Sequence, residues 1–366
     1  MDIQEEPLIL PKSRKRRWWL WLLASPFLLF FTAIVLLYLP PVQRFAVDKA
    51  STMASQATGL DISVGRLDLR FPLDLLVRDV HAVMHESGDT LLSLDRLKVE
   101  LRLWKLFRKE LEVEEISLKG ATVDTRNFLD GMTVKGHLGE LFLESHGVAF
   151  SPETARVNEI SVKNTDLTLT LDELPESEPT PSDTLYWKIL LDKIQLENVG
   201  FALKMPQDSL YLRTRLPEAS LRSGVVDLRE SAYFVKTFAI GDASLAYDSG
   251  VEASKLPADS LGKTLNPLHL AFESIDFQLD SIYYCGRDIR ARISRFDFLE
   301  RSGLELVSTE GRIRADNQAI RIPQLVARTT DSSIDLQTEI GWDVLEMKQY
   351  GAFLPVCKVK LAREMW

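Results

Sequence analysis

His81 and His85 stand four residues apart, a spacing that on a helix would turn both imidazoles to one side as metal ligands. The residues around them alternate apolar and polar, which is the habit of a strand, and only Glu86 and Asp89 lie near enough in sequence to add a donor. A metal centre needs three or four converging ligands, so the pair reads as two solvent-facing histidines. Gly262-Lys263-Thr264 has the ending of a phosphate-binding loop, but that loop requires a glycine five residues before Gly262, where Pro257 stands. There is no Gly-x-Ser-x-Gly elbow, no zinc-binding helix motif and no close cysteine pair. Cys285 and Cys357 are the only cysteines, which excludes a disulfide-stapled scaffold and leaves open one disulfide or two free thiols. The scattered carboxylates suit the wet faces of strands. These residues predict no catalytic centre, no cofactor and no metal, so function must come from surfaces that bind.

The elements carrying such surfaces begin with an uncharged run from Trp18 to Leu39, WWLWLLASPFLLFFTAIVLLYL, long enough as a helix to cross a hydrocarbon core of about 30 Å. It exceeds the roughly 7–15 apolar residues of a cleavable signal and ends in Pro40-Pro41 instead of a small-x-small site, so it reads as a transmembrane helix over 18–39. Trp18, Trp19, Trp21 and Tyr38 suit the two water interfaces. Residues 1–17 carry Lys12, Arg14, Lys15, Arg16 and Arg17, which set the topology: the basic tail stays in the cytoplasm and the rest lies beyond the membrane. The chain has 44 Lys and Arg against 53 Asp and Glu, a net charge of -9, which argues against nucleic acid as partner. With 45% apolar and 27% charged residues it must contain a large packed region.

Val42, Phe45, Ala46, Lys49, Ala50, Met53, Ala54 and Ala57 recur at helical spacing up to Gly59, predicting a short amphipathic helix within 40–59. From 60 to 366 the period falls to two, as in Ile62/Val64, Leu67/Leu69, Leu167/Leu169/Leu171, Phe201/Leu203/Met205 and Ile275/Phe277/Leu279, so strands dominate. Trp104-Lys105-Leu106-Phe107-Arg108-Lys109 is expected to make one or two helical turns, and Pro-rich Leu174 to Thr184 an exposed loop. One motif recurs: two alternating apolar residues, then a Gly, Asn or Asp, then an apolar pair of opposite parity. It centres on Asp79, Gly120, Asn164, Asn198 and Asp242, with weaker copies at Gly65 and Ser281. These residue types tolerate positive φ, so each is expected to mark a bulge or corner. An extra residue there would bend the strand while its apolar side chains keep one face. The predicted fold is mainly β: behind the two helices, an elongated, curled antiparallel sheet of repeated strands forming a groove.

These features come in a telling order: basic tail, single span, Pro-rich exit, Thr58-Gly59-Leu60, the Gly65 turn and Val77-Arg78-Asp79-Val80. Gly88-Asp89-Thr90-Leu91-Leu92, Leu103-Trp104-x-Leu106 and Ile116-x-Leu118-x-Gly120-Ala121-x-Val123 follow. Over residues 10–126 this resembles the AsmA-like superfamily, most closely the N-terminal region of its TamB-type members, subunits of a translocation and assembly module. The resemblance implies a single-pass protein of a bacterial inner membrane, N-terminus cytoplasmic and bulk in the periplasm. It implies that 60–366 is a β-repeat region truncated at its C-terminus relative to longer members. It also implies a groove that shelters or conducts phospholipid between inner and outer membranes in outer-membrane biogenesis. A second implied reading is an envelope scaffold aiding insertion or secretion of outer-membrane proteins by strand pairing with a β-barrel partner.

The expected groove residues are Leu167, Leu169, Leu171, Phe201, Leu203, Ile275 and Phe277. Exposing a sixteen-carbon acyl chain to water costs on the order of 13 kcal/mol, at about 0.8 kcal/mol per CH₂. An apolar sheet face would remove most of that without fixing the lipid in place. Alternation by itself fits a closed two-layer core equally well.

Overall fold

A computed structural model of the chain describes residues 38–70, 74–85, 87–102, 112–126, 128–150, 153–172, 186–249, 265–342 and 356–361. The basic tail with Lys12, Arg14, Lys15, Arg16 and Arg17 and almost all of the 18–39 span lie outside them. So do the expected turn at Trp104 to Lys109, the loop at Leu174 to Thr184, and Gly262-Lys263-Thr264. Among the described residues no helix is long and apolar enough to cross a membrane.

Helix α1 runs Pro40–Thr58. Its two prolines sit in the first turn, where a missing N–H is harmless, and Gly59 ends it in the left-handed region at φ 71°, donating its N–H to Ser55 O at 2.9 Å. The expected apolar stripe docks only in part: Val42 and Ala54 are half-buried, but Phe45 is 69% and Met53 61% exposed. Gln43, Val47, Ser51 and Ser55 complete the half-buried face. Gln43 Nε2 donates to Leu69 O at 3.4 Å, and Ser55 Oγ accepts the Ile62 N–H at 2.9 Å. The physical reason is that an edge strand presents unpaired N–H and C=O groups, which polar side chains satisfy and apolar ones cannot.

The strands are β1 (Leu60–Arg70), β2 (Asp74–Met84), β3 (Thr90–Leu101), β4 (Val113–Asp124), β5 (Met132–Phe150), β6 (Glu153–Leu171), β7 (Lys188–Met205) and β8 (Leu210–Asp227). They continue as β9 (Ala232–Ser249), β10 (His269–Cys285), β11 (Asp288–Glu300), β12 (Glu305–Ala315), β13 (Ala319–Thr329), β14 (Ser332–Gly341) and β15 (Val356–Leu361). All fifteen hydrogen-bond in chain order within one sheet, and the two end strands do not pair, so the sheet is open. Its neighbours are antiparallel except β6 and β7, which run parallel. The expectation of a purely antiparallel sheet is therefore corrected to a mixed one. Sixteen residues separate Leu171 from Lys188, enough chain, at roughly 3.3 Å each, to return to the end where β6 began.

Contacts between elements run between neighbours in this order, with α1 resting on β1. No large side chain among the described residues is fully buried, and the most buried apolar residues are Leu60, Leu76, Leu91, Leu94 and small ones such as Ala219 and Ala243. Two sheets pressed together would have buried one face of every strand in a dry core about 10 Å thick. The described strands instead form a single layer.

Candidate functional site: an apolar stripe across the sheet

The hydrogen-bond register aligns the first apolar residue of the five main motif copies, Leu75, Ile116, Ile160, Ile194 and Phe238. From β1 to β8 the aligned residues are Leu69, Leu75, Val99, Ile116, Leu143, Ile160, Ile194 and Leu221. From β9 to β15 they are Phe238, Leu279, Ile293, Gly311, Leu325, Leu336 and Cys357. One row thus crosses all fifteen strands with no charged residue in it. At Gly311, which has no side chain to contribute, Leu325 Cδ1 fills the space, 2.6 Å from where a Cβ would stand. A second row lies beside it from β1 to β11: Leu67, Val77, Leu97, Leu118, Leu141, Val162, Leu196, Ala219, Ile240, Phe277 and Phe296. Aromatic rings continue it, with Phe277 5.3 Å from Phe296, Phe296 5.4 Å from Phe298, and Phe298 4.9 Å from Phe272.

The motif centres fall on a line bordering these rows. Asp79, Gly120, Asn164, Asn198 and Asp242 all have positive φ, 53°, 65°, 50°, 53° and 50°, and so does Ser281 at 53°. Through β8 they are corners and not bulges, because no register slip occurs there: Lys163 pairs Glu197 and Thr165 pairs Val199 on either side of Asn164 and Asn198. No extra residue is inserted. Neighbouring strands bend together, so Gly65, Asp95, Gly139 and Pro217 stand opposite the left-handed residues and extend the line from β1 to β9. Where the line passes from β9 to β10 the register shifts, around Ile275. Gly120 is favoured by its φ, and a Cβ there would sit 2.1 Å from Asp95 Oδ2, so that side chain would have to move. Asn198 Nδ2 donates to Asn164 Oδ1 at 2.9 Å, and Arg215 Nη2 donates to Asn198 Oδ1 at 2.8 Å. A second line, with Ser223 (φ 54°) and Ser281 flanking Lys236, borders the rows on their other side over β8 to β10.

Of the expected groove residues, Leu167 pairs Phe201 and Leu169 pairs Leu203 across the parallel β6 and β7. Leu171, opposite Met132, continues that patch, which lies across the Asn164 corner from the two rows. Phe277 belongs to the second row, and Ile275, opposite Ala243, sits at the register shift between the two regions. The rows themselves were not singled out by the sequence reading. Their signal was the first apolar pair of each motif copy, such as Ile160/Val162 and Ile194/Leu196.

Alternation sends polar residues to the other face. Asp74, Glu100, Glu115, Glu144 and Glu159 align there in register. Lys98 relieves the repulsion, pairing with Glu100 and, at 3.2 Å, with Glu115. Burial and then Glu100 push the Asp74 carboxyl above its ordinary value, with Lys98 opposing. Lys119–Glu140 at 2.9 Å and Lys163–Glu197 at 2.6 Å add exposed pairs, which solvent screens. His81 lies on this face of β2, opposite Ser63 and Ser93, while exposed His85 is in the following turn with Nδ1 2.9 Å from Asp61 Oδ2. Cys285 carries a free thiol.

The fold defines a mainly β protein built on one open mixed sheet, with a single short helix among the described residues. Compared with known proteins, the chain matches no protein-family model and no curated protein.

Proposed function

We propose that the sheet curls into an elongated trough whose apolar rows and flanking patch shelter acyl chains, and that the protein passively conducts phospholipid across a bacterial periplasm from an inner-membrane anchor. The observation that carries this reading is the uninterrupted row from Leu69 to Cys357. Fourteen strand spacings of 4.7–4.9 Å make it about 67 Å long. The two corner lines favour curling, because a left-handed residue turns the strand while the apolar side chains on both sides keep one face. The row offers no ionic anchor, which favours sliding over fixed binding. The AsmA-like resemblance of residues 10–126 supplies the compartment and the cargo class.

The test replaces Ile194 and Leu221, adjacent in the row, by Asp and measures phospholipid co-purifying with the full chain by mass spectrometry. Lipid content should fall several-fold. The pair Gln195→Asp and Ser220→Asp, adjacent on the opposite face, should leave it unchanged. Equal lipid content in both variants would sink the reading.

A further inference from the structure

Residues 265–342 contain nine arginines and no lysine. On the face opposite the apolar row, Arg290 stands directly across from Arg314, Arg292 from Arg312, and Arg314 from Arg321. Like charges directly opposite one another destabilise a sheet. Arg290 is relieved by Asp288, and Arg321 by Asp316 and Glu339. Arg292 also faces Asp280 on β10, which it helps hold in the charged form, whereas Arg312 and Arg328 have no carboxylate directly opposite; with Ser308, Glu310 and Gln324 the three arginines line a hollow of about 460 Å³. An arrangement that opposes folding yet gathers exposed donors around a hollow is the pattern of a binding site, where local rules are broken for function. Guanidinium groups present planar forks that match phosphate oxygens two at a time, which ammonium groups cannot do. Glu310 in the lining and Asp280 opposite Arg292 leave an excess of about one positive charge, suited to one phosphate group and not to a polyanion.

We propose that this hollow binds a phosphate-bearing anion through Arg292, Arg312 and Arg328. The site is independent of the lipid reading, because it lies on the other face of the sheet. The shared chemistry could come from free phosphate or from a lipid phosphodiester, and two probes separate them: inorganic phosphate, and a short-chain phosphatidylglycerol. Binding of each to the full chain in detergent is measured by calorimetry, with Lys135→Gln as control. At least one probe should bind at least tenfold more weakly to the Arg292→Gln/Arg312→Gln variant and to Arg328→Gln, while the control is unchanged. Weakening for phosphate identifies the free anion, and weakening for the lipid alone identifies the diester headgroup. Lipid binding that survives both variants belongs to the apolar face and, with no loss of phosphate binding, overturns the proposal. Thermal melting without added anion supplies a second readout. Arg312, opposite Arg292 and Gln324, has only repulsion to lose, so the midpoint of Arg312→Gln should hold or rise. A lower midpoint would mean that arginine serves folding, and would also overturn it.

Discussion

Replacing Asn198 tests whether the corner line is imposed by backbone geometry. Its φ of 53° is in the left-handed region, where a β-branched residue costs about 1–2 kcal/mol. Its side chain donates to Asn164 at 2.9 Å and accepts from Arg215 at 2.8 Å. Both bonds are exposed, so they contribute about 1 kcal/mol together, at the low end of the net range. Asn198→Val should therefore destabilise by about 2–3 kcal/mol, and Asn198→Gly, which loses the bonds but not the conformation, by about 1 kcal/mol. The difference of one to two kcal/mol corresponds to a factor of about 5–30 in local opening. An array in which strands contact only their neighbours need not unfold as a unit, so the assay is hydrogen exchange at the Leu196 and Val199 amides on the full chain. Exchange should be fastest in the valine variant and intermediate in the glycine variant. Equal exchange in the two would refute the reasoning, since the loss would then lie in the side-chain bonds and not in the corner.

Three further outcomes are expected. Ser55→Ala removes the acceptor for the Ile62 N–H and should speed exchange of that amide by up to about tenfold, consistent with a net bond of 0.5–1.5 kcal/mol, while β7 amides are unaffected. Gly136→Ala would place a Cβ 2.1 Å from Asp166 O and 2.8 Å from Leu167 Cα, so β5 and β6 must separate, and thermal melting should show a larger loss than for Gly59→Ala, which meets nothing within 4 Å. The third concerns acid. Burial alone would push the Glu300 carboxyl up, but bonds from Ser302 Oγ, from the Ser302 N–H at 2.7 Å and from the Ala271 N–H at 3.3 Å outweigh it and hold it below its ordinary value. A depressed carboxylate contributes stability that is complete above its unfolded pKa and lost as pH falls through its folded one. Acidification from neutral through and below the ordinary carboxylate range should therefore loosen the sheet where β10 meets β11 at Glu300, seen as falling protection of Ser302 and Ala271, and Glu300→Gln should flatten that dependence.

The corners were legible because left-handed backbone narrows the choice to Gly, Asn, Asp and an occasional Ser, so Asp79, Gly120, Asn164, Asn198 and Asp242 announced themselves. Their partners Asp95, Gly139 and Pro217 did not, because a bend shared between strands leaves an opposite residue in ordinary extended conformation and so without a signature. The bends also needed no inserted residue, which the parity flip alone had implied. The long apolar row was half visible: each copy showed two apolar residues before its corner, but register is a property of pairing and only the assembled sheet aligns Leu69 with Ile194 and Leu336. The helix was legible in its ends, fixed by Pro40-Pro41 and Gly59, and only partly in its docking face. Periodicity finds the apolar side, whereas the edge of β1 selected Gln43 and Ser55. The parallel pairing of β6 with β7 was implicit only in the length of the connection between them.

The trough claim is tested most directly by walking a photo-crosslinking residue along the row in living cells, at Leu75, Ile116, Ile160, Ile194, Phe238 and Leu325, with the polar-face neighbours Ser117, Ser161 and Gln195 as controls. The account predicts phospholipid adducts at every row position and few at the controls. Capture confined to one end of the row, or equal on the two faces, would contradict it.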